Sequence, residues 1–401
     1  MPGQHAPAMN ARRGKLQVVI AGGGVAALET ALALRSLAEE RVAIQLIGAE
    51  PHFWYRPLSV VEPFGGGRIQ PLELTDLASA CGVEFDLAVL ASVDPAGRVV
   101  HTEAGASYEY DALVIACGAR LRDAVAGAFT FRGPADSAIV ARLLEQLESG
   151  GRGCLVFAVP AGATWPLPLY ELALLTAAHL ADREVQVEIA LVTPEEAPLA
   201  IFGSEASLAV SRLLELRNIA VHLGRSPFSV DGGVLTLSPS GSIPADHVVA
   251  LPRLAGRSIP GLPCDSGGFI RTDMQGRVIG LDDVYAAGDA TAFPVKQGGL
   301  AAQQADAVAE VIAADAGAPI TPQPFRPILR GLLLTGGRPA YLCAEIGGGA
   351  GETTRVATEA LWWPPGKIVG RYLAPFLAER AKVSPSPLSE THRPLSIEVG
   401  L

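Results

Sequence analysis

Residues 18–34 read VVIAGGGVAALETALAL and residues 284–309 read VYAAGDATAFPVKQGGLAAQQADAVA. The first stretch is an apolar strand that runs into a glycine turn and then a helix. The free N–H groups at the start of that helix therefore face whatever anion sits over the glycines. A diphosphate fits there. Gly22 permits the tight turn, and Gly24 lets the backbone approach the phosphates. Ala27 stands at the third position, where helix and strand pack closely and one methyl is tolerated. Alone, this pattern is a weak signal.

Its weight comes from order. Tyr110 to Arg120 reads YDALVIACGAR and stands between the glycine turn and Val284-Tyr-Ala-Ala-Gly-Asp-Ala290. With these three motifs in sequence, the chain resembles the two-dinucleotide-domain flavoproteins of the pyridine nucleotide-disulfide oxidoreductase superfamily, over about residues 16–313. The resemblance implies an α/β protein with two Rossmann-like dinucleotide-binding domains and a smaller C-terminal domain. It also implies that FAD binds in the first, that Ala116, Cys117 and Gly118 close over it, and that Asp289, after Gly288, bonds the ribityl chain. Cys117 departs from the usual threonine.

Composition fits this reading. The chain has 401 residues, 49% of them hydrophobic, with 44 glycines, which suits α/β layers joined by tight turns. A net charge of −10 and no basic stripe argue against nucleic acid as a partner. Mean hydropathy is high at +0.31, yet Pro, Gly or charge breaks every apolar run before the ~18 residues a spanning helix needs. The Pro/Gly/Ala-rich start, MPGQHAPAMNARRGK, reads as a disordered tail of a cytoplasmic protein, with peripheral attachment to the inner membrane as the alternative.

The five cysteines, Cys81, Cys117, Cys154, Cys264 and Cys343, are scattered, with no CxxC, so neither a metal site nor a disulfide scaffold is expected. Disulfide-reducing members of the superfamily carry a close cysteine pair after the first Rossmann helix. Here that stretch is HFWYRPLS, residues 52–59, so such activity is excluded. The run is similar to the quinone-linked branch, which implies that Arg56 and Pro57 contact the flavin. His52 reads as packed rather than tethered to the flavin, so FAD is held without a covalent bond. Glu50 follows the strand Val42–Ile47, where an acid reaches the adenosine ribose. A solvated turn residue is the alternative.

The organisation is discontinuous: residues 15–128 and 255–323 form the FAD-binding domain, 129–254 a degenerate NAD(P)-like Rossmann domain, and 324–401 a C-terminal interface domain. In the inserted unit, the strand from Cys154 leads into AGATWPLP, residues 161–168, and a helix from near Leu169. Pro160, Pro166 and Pro168 remove N–H donors, and Trp165 fills space that glycine would leave for a diphosphate. NAD(P)H is therefore disfavoured. A Pro-containing loop is similar to that of sulfide:quinone oxidoreductases, whose loop carries a catalytic cysteine; none stands here, so Cys343 cannot complete a relay.

After Asp289 comes Lys296-Gln-Gly-Gly-Leu300, similar to the "KTGxM" of sulfide:quinone oxidoreductases. A helix start aimed at the flavin, with a cation beside it, stabilises the charge of reduced flavin. Lys296 is the catalytic candidate. Lys296, Gln297, Gly298 and Leu300 complete the expected cofactor contacts. A surface lysine is the alternative for Lys296.

In the C-terminal region, Val369, Tyr372, Leu373, Phe376 and Leu377 recur at helical spacing behind Trp362-Trp363. The stripe reads as core or homodimer contact, with a membrane-surface foot as the functional alternative. The sequence thus points to an FAD-dependent oxidoreductase that passes electrons from a small-molecule donor to a quinone or redox-protein acceptor. Two other readings stay open: an NAD(P)H-dependent flavin reductase, and a non-catalytic FAD-binding interaction module.

Overall fold

Strands that read as continuous apolar runs are buried on both faces, and here they build two parallel sheets of the same design. The computed structural model describes residues 14–150, 153–346 and 354–383; the N-terminal tail lies outside them. The chain begins with β1 (Leu16–Ala21), α1 (Val25–Ala38), β2 (Val42–Gly48), β3 (Glu84–Leu87) and β4 (Ala112–Ile115). It crosses over through β5 (Arg120–Arg122) to β6 (Phe129–Thr130), α2 (Ser137–Gly150), β7 (Cys154–Ala158), α3 (Leu167–Ala181), β8 (Glu188–Val192), α4 (Ser204–Leu216), β9 (Ile219–His222) and β10 (His247–Ala250). It returns through β11 (Arg253–Ala255) to β12 (Val284–Ala286) and α5 (Gly298–Asp315). The last elements are β13 (Ile328–Leu333), β14 (Ala340–Glu345), β15 (Thr354–Ala357) and α6 (Leu373–Val383).

The first sheet has strand order β12-β4-β1-β2-β3 and the second β6-β10-β7-β8-β9, every pairing parallel. β5 and β11, the outward and return crossings, pair antiparallel into a two-stranded ribbon. A third sheet, β13-β14-β15, is antiparallel.

Two helices reveal how the layers meet. α1 packs on α5 through small residues, among them Ala26, Ala27, Ala301 and Ala305, which let the helices approach closely over the first sheet. α3 reads LPLYELALLTAAHLA and is apolar almost all round, the mark of a helix covered on every side. It starts at Leu167, two residues earlier than expected, because Pro166 and Pro168 are tolerated in a first helical turn that has no N–H bonds to lose.

The C-terminal stripe is a correction. Glu29 on α1 accepts hydrogen bonds from the N–H groups of Tyr372 (2.7 Å) and Leu373 (2.8 Å), so the helix begins at Leu373, and Val369 and Tyr372 precede it. Leu373 is buried in the core beneath α1, with Tyr372, Phe376 and Leu377 packed against it. Trp362 is likewise engaged: its indole N–H donates to the Gly366 carbonyl at 2.9 Å and its ring meets Tyr341 edge-on. Trp363 alone of the pair stands out, 82% exposed. Among the described residues no helix is long and apolar enough to cross a membrane.

Candidate active site

The glycine turn is shaped by what surrounds it. Gly22 has φ +144°, and a Cβ there would lie 2.2 Å from the Ala116 carbonyl oxygen, so the end of β4 presses directly on the turn. At Gly24, the N-cap of α1, a Cβ would meet nothing, and no side chain caps the helix. Unbonded N–H groups thus face open space, as an approaching diphosphate requires. Ala27 is fully buried where α1 meets α5. Glu50 lies just past β2 and is exposed.

On the far side of the turn, Ala116 donates its N–H to Ala21 at 2.8 Å, and Gly118 takes φ +66° with open space beside it. Cys117 is half-buried; burial pushes its thiol up, and its carbonyl accepts from Arg257 Nε at 2.9 Å. Gly288, at φ +74°, donates its N–H to Gln304 Oε1 at 2.7 Å and fits between Ala26 and Ala301. Asp289 is half-buried, and burial raises its carboxyl pKa while Lys296 and Arg56 pull it back. These residues fit FAD: the glycines and uncapped start of α1 would hold the diphosphate, and Asp289 would receive the ribityl hydroxyls.

Arg56 and Pro57 open a 3₁₀ turn spanning Arg56–Phe64 and line a cavity of about 250 Å³, together with Trp165, Lys296, Gly298 and Lys367. Lys296 is buried at 6% exposure, donates to the Thr291 carbonyl and lies 4.2 Å over the Phe269 ring. Burial lowers its pKa to about 8, against the opposing pull of Asp289 and Asp265. It is therefore no surface lysine. Gln297 caps α5: its Oε1 accepts from the Leu300 N–H at 2.9 Å and its Nε2 donates to the Arg330 carbonyl at 3.0 Å. Leu300 has its side chain buried in the core and its N–H held by Gln297.

The loop after β7 is braced by side chains from elsewhere in the fold. Trp165 packs against Phe202 with ring centroids 5.8 Å apart, and Arg253 Nε holds the Ala161 carbonyl at 2.8 Å. Beyond β8, where an acid would bind a ribose, Glu195 instead accepts from Tyr170 Oη at 2.7 Å and Thr193 Oγ1 at 2.9 Å.

One pair at this cavity escaped the sequence reading. Glu171 on α3 and Lys367 from the C-terminal segment line it as an ion pair, and Glu171 also accepts from the Leu334 N–H at 2.9 Å. The available signal was a single acid in an otherwise apolar helix, which cannot be buried without a partner.

The profile of the pyridine nucleotide-disulphide oxidoreductase family matches residues 14–152 and 171–309. The chain belongs to that family. The interval between the two matches, residues 153–170, holds β7 and the Pro/Trp loop. A sulfide-quinone reductase of Aquifex aeolicus is 30% identical over 205 residues, 49% of this chain and 47% of that protein, so the match spans about half of that relative's length. An NADH dehydrogenase-like protein of Mycobacterium tuberculosis is 29% identical over 294 residues, 69% of this chain and 73% of that protein. Among solved structures, the sulfide:quinone oxidoreductase from Aquifex aeolicus superposes with TM-score 0.79 at 20% identity, covering 93% of this chain and 91% of that one. The reductase of a putidaredoxin reductase–putidaredoxin complex gives TM-score 0.63 at 19% identity, covering 83% and 82%. This family member is an FAD-dependent oxidoreductase, similar over part of its length to a sulfide-quinone reductase and to an NADH dehydrogenase-like protein.

Proposed function

We propose that the protein oxidises a small-molecule donor at the flavin and passes the electrons to a quinone or a redox protein, without using NAD(P)H. The observation that carries this reading is the filled second loop: Trp165 on Phe202, and Glu195 bonded to Tyr170, occupy the groups a nicotinamide dinucleotide would need. The cavity beside Lys296 supplies a place for the donor instead, walled by apolar side chains with cations among them. When bound, FAD supplies two-electron chemistry: the donor loses two electrons, and a quinone takes the same two with two protons, or a redox protein takes them singly.

Lys296 acts as the electrostatic partner of the flavin, holding positive charge at the start of α5 where negative charge develops. A role for its neighbours follows from position. Asp289 and Asp265 set its local field, and Gln297 fixes the helix start that aims it.

The test is anaerobic mixing of the purified flavoprotein with NADH, NADPH and a panel of small reductants, followed by a quinone analogue. Flavin bleaching by a reductant other than NAD(P)H, and rapid return of colour with quinone, is the expected result. Fast bleaching by NADH at micromolar concentration would overturn the reading. Flavin that reoxidises slowly and equally with every acceptor would instead mark a structural cofactor.

A further inference from the structure

A second cleft of about 520 Å³ adjoins the first through Arg56 and is lined by Arg56, Ala119, Arg120, Leu121, Arg122 and Arg257. Four of its six lining residues are arginines and none is acidic, in a chain whose net charge is −10. Among the described residues none of the four forms an ion pair. The backbone enforces the cluster. Arg120 and Arg122 are two apart on β5 and so share one face of the ribbon, and Arg122 stands directly opposite Arg253 on β11. Like charges opposite one another across a ribbon are destabilising. Arg257 is fixed at the other side by its bond to the Cys117 carbonyl, at the end of the strand that presses on the glycine turn.

Planar guanidinium groups converging without carboxylates match the geometry of an oxyanion, which several of them can grip at once. The cofactor's diphosphate has its own partners in the uncapped N–H groups of α1. We infer that Arg56, Arg120, Arg122 and Arg257 form a docking site for the oxyanion group of an anionic electron donor at the mouth of the flavin cavity. This rests on the proposed function for the word "donor" alone; anion capture is a property of the cleft itself. The arginines are exposed, so the group arrives from water and the positive field draws it toward Arg56, which faces both clefts.

The test uses the FAD-loaded full chain with sulfate and inorganic phosphate as probes, neither of which reduces flavin, at ionic strength held constant with chloride. Calorimetry and the flavin visible spectrum read binding without turnover. The expected result is saturable binding of both anions, weakened at least about tenfold in Arg120→Gln/Arg122→Gln, with unchanged FAD content. Since both residues are exposed, this variant keeps its fold, and the two single variants serve as a check. Absence of saturable binding in the wild type, or an unchanged affinity in the double variant, overturns the inference. Loss of FAD from the double variant also overturns it, by assigning the arginines to the cofactor. A protein that captures anions but does not reduce quinones leaves this site standing and removes the functional reading; a quinone reductase blind to both anions does the opposite.

Discussion

Lys367 Nζ lies 2.5 and 2.6 Å from the two carboxylate oxygens of Glu171, across 196 residues of sequence, and both side chains are buried. Burial pushes the Glu171 carboxyl up and the Lys367 amine down, and each partner's charge opposes the shift. The pair joins the helix that follows the Pro/Trp loop to the C-terminal segment. Removing one member strands the other: Glu171→Gln or Lys367→Met alone should cost about 3–5 kcal/mol, whereas Glu171→Leu with Lys367→Met should cost much less than the sum. Chemical denaturation of the three variants measures this, and strictly additive losses would contradict it.

Gly24→Val should purify colourless yet folded. A Cβ there enters the open space before α1 with no protein atom within 4 Å, so the loss falls on FAD and not on packing. Absorbance of the flavin and a thermal melt of the same sample separate the two effects.

Lys296→Met should lower the flavin midpoint potential, since a buried cation no longer favours the charge of the reduced state. Loss of one such donor costs about 2–4 kcal/mol, or about 40–90 mV for a two-electron couple. The wild-type lysine itself loses its proton near pH 8. The gap between wild type and variant should therefore be widest below that pH and close above it. Spectroelectrochemical titration at several pH values reads both features; a constant gap would remove Lys296 from this role.

Much of this was legible from the sequence, and the misses have a common cause. β1 and β4 read as unbroken apolar runs because both faces are covered, and the turn between β1 and α1 required glycine for reasons its own residues display. Glu171 was visible as a lone acid in α3, but its partner lies in another layer. The start of α6 was misplaced because the group that sets it, Glu29, sits 343 residues before Tyr372. Periodicity finds a stripe and cannot find a cap supplied from elsewhere in the fold.

Asp306 on α5 is hydrogen-bonded to Glu29, and its pKa is raised by burial and by that neighbouring carboxylate. The unfolded chain gives up this proton near its ordinary value of 3.8, while the folded chain retains it to higher pH. Folding therefore takes up a proton between the two values, and stability from this group falls as pH rises through that window. Asp306→Asn should raise the melting temperature more at pH 8 than at pH 5. Equal gains at both values would show that the pair does not share a proton.

Cys154→Ser and Cys343→Ser should leave flavin reduction by the donor unchanged. Both thiols are half-buried and pushed up by burial, away from the thiolate that exchange chemistry needs. Abolished reduction with FAD still bound would move the protein among the cysteine-dependent members of its family.

α1 is held at both ends of its function by different parts of the molecule. Its N-terminus offers unbonded N–H groups to the cofactor, and one turn further on Glu29 starts the last helix by accepting the N–H groups of Tyr372 and Leu373. A single rigid rod thus serves as the abutment for both the dinucleotide and the chain's closing helix. Whatever steadies that rod at one station steadies it at the other, and thermodynamic reciprocity makes the exchange equal in both directions. Loading with FAD should protect the peptide bonds around Tyr372 from protease, and a chain cut there should hold FAD more weakly.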